Sequence, residues 1–140
     1  MQFIKRLFKK KEAPALKIEL THVGTIGWDE ESEYWVGNYN GLKFSVAYDG
    51  LSHPEEELSS TVTKTLTNPK FPEEAMIKIR KLAKSQYSEE RHKEIDRLEP
   101  QDIVFQSPNF ILIQFFGPED SEPFWFAEIH ESEIYIGFDT

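Results

Sequence analysis

The sequence has 140 residues, which suits one domain with a sizeable hydrophobic core, and it contains no cysteine. Disulfides, thiolate nucleophiles and cysteine-ligated zinc are therefore excluded. The formal net charge is −9, but residues 1–17 hold six Lys or Arg and one Glu, so that segment carries +5 and the other 123 residues carry −14. Such an acidic body disfavours nucleic-acid binding and attracts a basic protein partner.

Residues 1–12 form a short basic segment with an apolar stripe at helical spacing. Three interpretations are open for it: contact with an anionic membrane surface, packing on the protein's own core, or a disordered tail linked through Ala13-Pro14-Ala15. We predict a leader and linker over residues 1–15 and a single domain over residues 16–140. The candidate membrane-surface residues are Phe3, Lys5, Arg6, Leu7, Phe8, Lys9 and Lys10.

The sequence predicts a cytoplasmic protein, and weak peripheral contact with the inner membrane surface through residues 1–12 is an open alternative. No apolar run approaches the roughly 18 residues that a membrane span needs. Lys5 and Arg6 interrupt what would be the apolar part of a signal peptide. The lack of cysteine is compatible with a reducing compartment.

The first predicted strand alternates apolar and polar residues from Leu16 to Thr21, a pattern typical of a half-buried strand. Gly24 and Gly27 interrupt this alternation, so we predict that the strand ends before them. The acidic and turn-prone segment 29–32 then connects the first strand to the next element.

A β-hairpin is predicted over residues 33–49. Asn40-Gly41 tolerates the positive φ angles of a type I′ turn, and aromatic-rich strands flank it on both sides. A two-residue loop fixes the register, which places Tyr39 opposite Leu42, Gly37 opposite Phe44, Trp35 opposite Val46 and Glu33 opposite Tyr48. The face predicted to be buried bears Trp35, Tyr39, Leu42, Phe44, Val46 and Tyr48.

Two or three helices are predicted in the middle of the chain. Pro54 followed by three Glu residues resembles a first helical turn and predicts a helix over 54–67, although the Thr-rich run 61–66 also fits a strand. Apolar spacing predicts a longer, principal helix over 72–87. Residues 88–98 form either a third helix or the continuation of the second after a bend.

The last third of the sequence predicts four strands in a meander, over residues 103–106, 110–116, 124–130 and 134–138. The whole order is therefore βββ-αα-ββββ. This order predicts an α+β fold, with a single antiparallel sheet of six to seven strands. The two or three helices are expected to pack on the face that bears Trp35 and Phe44.

The sequence contains no recognisable catalytic or metal-binding motif. The four histidines match no known metal pattern. His92 and Asp96 share a helix face at i, i+4, where a solvated ion pair is favoured over two metal ligands. The acidic clusters lie at predicted turns or helix starts, where capping and solubility account for them. We therefore assign no catalytic, cofactor or metal residue.

Parts of the sequence resemble small uncharacterised bacterial domains that occur as stand-alone cytoplasmic proteins. The resemblance rests on the strand Tyr34-Trp35-Val36-Gly37, the return Asn40-Gly41-Leu42-Lys43-Phe44, the two helices and the closing Ile136-Gly137-Phe138-Asp139. It covers most of residues 16–139. Some of these domains stand beside secreted toxins and are regarded as immunity proteins. The resemblance implies no catalytic residue, and the basic leader lies outside it.

We predict a non-enzymatic binding protein with a protein partner, such as an immunity protein that occludes a basic toxin. The alternative is a hydrolase or carbohydrate-binding domain that uses a cleft of carboxylates and aromatic residues beside the hairpin. No cofactor and no nucleic-acid partner are expected. The candidate partner-binding residues are Asp29, Glu30, Glu31, Glu119 and Asp120.

Overall fold

A computed structural model describes residues 11–116 and 124–139. These residues form an α+β domain with one eight-stranded, mostly antiparallel sheet and three helices. The strands are β1 (Lys17–Leu20), β2 (Gly24–Asp29), β3 (Tyr34–Tyr39), β4 (Leu42–Ala47), β5 (Glu99–Ser107), β6 (Phe110–Phe116), β7 (Phe124–His130) and β8 (Glu133–Asp139). The helices are α1 (Glu56–Thr67), α2 (Glu73–Gln86) and α3 (His92–Asp96), and a single 3-10 turn (Glu89–Arg91) precedes α3.

The strands follow one another across the sheet in chain order, from β1 at one edge to β8 at the other. All neighbouring pairs are antiparallel except β4 and β5, which are parallel. Two parallel strands need a long crossover connection, and residues 48–98 with all three helices supply it. The sheet therefore consists of two four-stranded meanders that meet at the central parallel pair.

The predicted fold class is confirmed, but the predicted strand count and order are wrong. Eight strands occur instead of six or seven, and the order is four strands, three helices and four strands. The missed strand is β2, because Gly24 and Gly27 led us to predict a break. Gly27 instead pairs with both Lys17 and Val36, and Ile26 beside it is fully buried.

The predicted hairpin forms β3 and β4 with the predicted register. Trp35 lies opposite Val46 and Gly37 lies opposite Phe44, and the side chains of Trp35, Phe44 and Val46 are fully buried. The pairing of Glu33 with Tyr48 is not part of the ladder, since β3 begins at Tyr34. Glu33 has a φ of 60° and belongs to the preceding turn.

The turn of this hairpin provides a direct test of its backbone geometry. Asn40 and Gly41 have φ angles of 51° and 80°, as a type I′ turn requires. We expect Gly41→Val to lower the free energy of unfolding by about 1–2 kcal/mol, because a β-branched residue resists positive φ. The control Gly41→Asn should cost less than about 1 kcal/mol, and urea unfolding of both variants measures the difference. Equal costs would contradict the turn type.

The three helices pack on one face of the sheet. Residues 54–67, which fitted either a helix or a strand, form α1, and Leu58, Val62 and Leu66 are buried at helical spacing. The apolar residues of α2 and α3 join the same core as Trp35 and Phe44. No described helix covers the opposite face, and no helix in the described ranges is long and apolar enough to cross a membrane.

The segment that precedes β1 is bound to the domain. The Trp35 indole N–H donates to the carbonyl of Ala15 at 2.8 Å. The N–H of Ala15 donates to Ser52 at 2.8 Å, and the N–H of Glu12 donates to Gly50 at 2.7 Å. The predicted linker thus hydrogen-bonds to the loop after β4. Leu16, which the alternation pattern placed in the core, is 73% exposed and lies just before β1.

Candidate functional site

The negative charge of the protein lies with the strands and their turns. The helical region, residues 53–98, has nine acidic and nine basic side chains and is therefore balanced. Residues 99–139 have nine acidic side chains and no Lys or Arg. The half of the sheet formed by β5–β8 consequently has a negative potential that attracts cationic groups.

Side chains of β5–β8 that point away from the helices form a surface that we call the outer face. Alternation assigns residues to it, because their neighbours along each strand lie in the helix-covered core. The ladder pairs Val104 with Leu112, Leu112 with Glu128, and Glu128 with Tyr135. The outer face consists of Asp102, Val104, Phe110, Leu112, Gln114, Phe126, Glu128, His130, Glu133 and Tyr135.

Three rings from three strands meet on the outer face. Phe110 and His130 stack with their centroids 4.2 Å apart and their planes 23° apart. The Tyr135 ring stands edge-on to His130 at 5.6 Å. Tyr135 is 52% exposed, which is unusual for a large side chain in the middle of a strand. The cluster therefore offers an aromatic surface to a ligand.

Carboxylates border this aromatic cluster. The Tyr135 hydroxyl donates a hydrogen bond of 2.7 Å to Glu133. That hydrogen bond and the charge of Glu133 raise the pKa of Tyr135, and the charge of Glu128 adds to the effect. The phenol therefore stays neutral at physiological pH, and the ring lies between two negative side chains. A guanidinium or ammonium group can contact the ring face and a carboxylate together in such a setting.

An open groove of about 540 Å³ adjoins the cluster at the end of the sheet. His130, Glu131 and Glu133 line it on one side, and Ser107, Asn109 and Phe110 line it on the other. The N–H of Glu131 donates to the carbonyl of Asn109 at 3.0 Å, which joins the two turns. The groove therefore extends the acidic and aromatic surface beyond the strands.

Asp102 lies at the other end of the outer face, opposite Gln114. Its Oδ1 atom is buried and has no hydrogen-bond partner in the described part of the chain. Burial raises the pKa of Asp102, although the nearby charge of Lys43 and the N–H of Ile103 act in the opposite direction. The ionised carboxylate is therefore destabilising in the folded state.

We expect Asp102→Asn to increase the free energy of unfolding at pH 7. The folded-state pKa of Asp102 is raised above the ordinary value of 3.8, so the folded state gains stability as pH falls through that raised pKa. The advantage of the Asn variant should therefore shrink as pH falls toward 3.8. Urea titrations from pH 4 to pH 7 measure this, with the exposed Glu30→Gln as the control for a lost charge. A pH-independent difference would contradict the assignment.

The predicted partner-binding residues are only partly within the described ranges. Asp29–Glu31 lie at the β2–β3 turn, where the Ser32 hydroxyl donates to Asp29 at 2.7 Å and lowers the pKa of that carboxyl. Glu119 and Asp120 themselves lie outside the described residues, as do the candidate membrane residues Phe3, Lys5, Arg6, Leu7, Phe8, Lys9 and Lys10.

His92 and Asp96 have separate partners. Nε2 of His92 lies 3.1 Å from the carbonyl oxygen of Lys84 and 3.3 Å from that of Tyr87. Asp96 forms an ion pair with the ammonium group of Lys84. Within residues 11–116 and 124–139, no three His, Asp or Glu side chains are grouped in a way that could hold a metal ion.

These features define a two-layer α+β domain whose sheet has an acidic and aromatic outer face. No family model matches the sequence, and no curated protein or solved structure is significantly similar to it. The outer-face cluster was not predicted from the sequence. Its signal was the alternation in β7 and β8, where Glu128, His130 and Tyr135 occupy the positions between inward apolar residues.

Proposed function

We propose that the protein is a non-enzymatic binding domain that holds a basic partner protein against its outer face. One observation carries the proposal: residues 99–139 have nine acidic side chains and no Lys or Arg, and no described helix covers their outer face. Positive residues on a partner would be steered toward this surface and would find no competing cation on β5–β8.

The cluster around Tyr135 favours arginine as the anchoring residue of the partner. A guanidinium group is planar, stacks on aromatic rings and forms two parallel hydrogen bonds to a carboxylate. The exposed Tyr135 ring provides the stacking surface, and Glu128 and Glu133 provide acceptors beside it. Aromatic residues are also frequent anchors at the centres of protein interfaces.

Occlusion of a toxin is the form of this function that the resemblance to immunity proteins favours. Enzymes that act on nucleic acids need clustered positive residues at their active sites. An acidic and aromatic face that covers such a cluster would block access of the substrate. In this role the protein needs no catalytic group, since binding alone inhibits the partner.

The test is complex formation with the product of a neighbouring toxin gene, measured by titration calorimetry at 50 and 300 mM NaCl. We expect binding that weakens with salt. The double variant Glu128→Gln/Glu133→Gln should raise Kd at least tenfold, and Tyr135→Ala should raise it comparably. The matched control Glu30→Gln/Glu31→Gln removes the same two charges from the β2–β3 turn and should leave Kd within about twofold, since rim charges contribute little.

If Glu30→Gln/Glu31→Gln raised Kd and the outer-face variants did not, the interface would lie at the turn that contains Asp29, Glu30 and Glu31. That result would overturn the outer face as the binding site. Absence of any complex with the candidate toxin would count against the immunity role. The carbohydrate alternative has one supporting observation, the exposed Tyr135 ring bordered by carboxylates. Binding of neutral oligosaccharides that is insensitive to salt and lost in Tyr135→Ala would favour it over a protein partner.

A further inference from the structure

The two edges of the described sheet differ in the hydrogen bonds that side chains form to their backbone groups. At the β8 edge, the Tyr87 hydroxyl donates to the carbonyl of Ile136 at 3.3 Å, so a side chain occupies one backbone acceptor. At the β1 edge, Thr63 of α1 donates to the carbonyl of Thr21 at 3.3 Å, just beyond the end of the strand. The body of β1 has no such contact in the described ranges.

The ladder between β1 and β2 determines which backbone groups of β1 point away from the sheet. The N–H of Trp28 donates to the carbonyl of Leu16 at 2.9 Å, so these opposed residues form a hydrogen-bonded pair. Hydrogen-bonded and non-hydrogen-bonded pairs alternate along antiparallel strands. Ile18 therefore bonds to β2, whereas the N–H and C=O groups of Lys17 and Glu19 point away from the sheet.

A groove of about 500 Å³ runs between β1 and α1, beside these outward groups. Ile18 and Leu20 form its apolar floor and are 8% and 5% exposed. Hydroxyl groups of Ser59, Ser60 and Thr63 line the helix side. The groove thus combines an apolar floor, a wall of hydroxyl groups and an edge strand whose outward donors and acceptors have no partner among residues 11–116 and 124–139.

We propose that this groove binds an extended peptide segment of a partner protein, which adds to the sheet as a strand beside β1. The outward N–H and C=O groups of Lys17 and Glu19 can hydrogen-bond to a row of main-chain acceptors and donors. An extended peptide supplies such a row. Side chains of such a peptide alternate between the two faces. Every second residue therefore meets Ile18 and Leu20 and is apolar.

Charge selects the remaining positions of the peptide. Glu19 and Glu56 line the groove with the single ammonium group of Lys64, and the domain around them is strongly acidic. The side chains of Glu19 and Lys17 lie on the opposite face of β1 from Ile18. The peptide residue beside Glu19 is therefore basic, whereas Lys17 selects no basic residue beside it. The ligand is thus an extended segment that alternates apolar and polar residues, with a basic residue beside Glu19. This groove lies at the far edge of the sheet from Tyr135, and it is independent of the outer face.

The probe is a fluorescein-labelled heptapeptide of alternating valine and lysine, added to the complete 140-residue chain. A peptide of the same composition with its valines grouped is the control for charge and hydrophobicity. Fluorescence anisotropy should give a Kd at least tenfold lower for the alternating peptide. N-methylation of the amides that face β1 should abolish this preference, because it removes the main-chain donors.

The decisive comparison is between Glu19→Pro and Glu19→Thr. Both variants remove the carboxylate, but only proline removes the outward N–H, and edge strands tolerate proline there. Glu19→Pro should raise the Kd of the alternating peptide at least tenfold relative to Glu19→Thr. Ser60→Trp, which fills the groove from α1, should raise it similarly and serves if the proline variant does not fold.

Four outcomes would overturn the proposal. The first is equal affinity of Glu19→Pro and Glu19→Thr for the alternating peptide, with no effect of Ser60→Trp, and the second is equal binding of the two peptides. The third is loss of peptide binding in Glu128→Gln/Glu133→Gln instead. The fourth is peptide binding only after deletion of residues 1–10. The third outcome would show that the peptide binds to the outer face. The fourth would identify the leader of the same chain as the occupant.

Discussion

Replacing Trp35 with alanine is expected to lower the free energy of unfolding by about 3–5 kcal/mol, the usual cost of removing a large buried ring. Trp35 is fully buried. Its ring packs edge-on against Trp28 at 5.5 Å and against Tyr48 at 5.8 Å, so its removal leaves a cavity that two large neighbours border. The variant also leaves the carbonyl of Ala15 without its indole donor.

Urea unfolding followed by circular dichroism measures this loss. The control Trp35→Phe keeps an aromatic ring at the site but removes the indole N–H, and it should cost less than the alanine variant. The difference in the free energy of unfolding between the wild type and Trp35→Phe includes the hydrogen bond from the indole N–H to Ala15. This hydrogen bond helps to hold residues 12–15 on the domain. An alanine variant as stable as the wild type would contradict the position of Trp35 in the core.

Gly37→Ala is expected to destabilise the protein by about 1–3 kcal/mol through overpacking. A Cβ atom at this position would lie 2.7 Å from Cζ of Phe44 and 2.8 Å from Cγ2 of Ile26. Both neighbours are fully buried and cannot move without disturbing the core. The aromatic ring of one strand thus covers the glycine of the next, and no side chain larger than hydrogen fits beneath it.

Gly137 provides the matched control, because the Phe126 ring covers it in the same way. A Cβ atom at Gly137 would lie 2.6 Å from Cζ of Phe126. Phe126 lies on the outer face and is only partly buried, so its ring can rotate away. We expect Gly137→Ala to cost less than about 1 kcal/mol. Equal losses of stability in Gly37→Ala and Gly137→Ala would show that the burial of Phe44 does not determine the cost of a side chain at Gly37.

The hairpin was predictable because its information is local. Asn40-Gly41 determines the turn, the turn determines the register, and the register decides which aromatic residues are buried. The helix over Glu56–Thr67 was predictable for a similar reason, since Leu58, Val62 and Leu66 recur at helical spacing. The Thr-rich run left a strand possible only because β-branched residues favour strands.

The strand β2 and the parallel pair β4–β5 were missed because both depend on distant residues. Gly27 has no side chain that could indicate a strand, and its position in the sheet depends on backbone pairing with Lys17 on one side and Val36 on the other. No local pattern indicates that Phe44 lies beside Ile103, because the connection between them contains all three described helices. Tertiary packing decides such pairings.

The outer-face cluster was missed for the same reason. Phe110, His130 and Tyr135 come from three strands, and they meet only when the registers of β6–β7 and β7–β8 are known. The sequence did place His130 at the end of the predicted strand 124–130. It did not indicate that an aromatic residue stacks on it or that a tyrosine lies beside it.

The parallel pairing of β4 with β5 also has a consequence for the order in which the chain folds. Each meander is built from hairpins that close over short distances and form within microseconds, whereas β4 can meet β5 only after residues 48–98 have been looped out. On the ribosome, β1–β4 emerge before the three described helices that cover Ile26, Trp35 and Phe44. The nascent first half therefore exposes a continuous apolar surface until the helices follow, and this is the stage at which the protein is most exposed to aggregation.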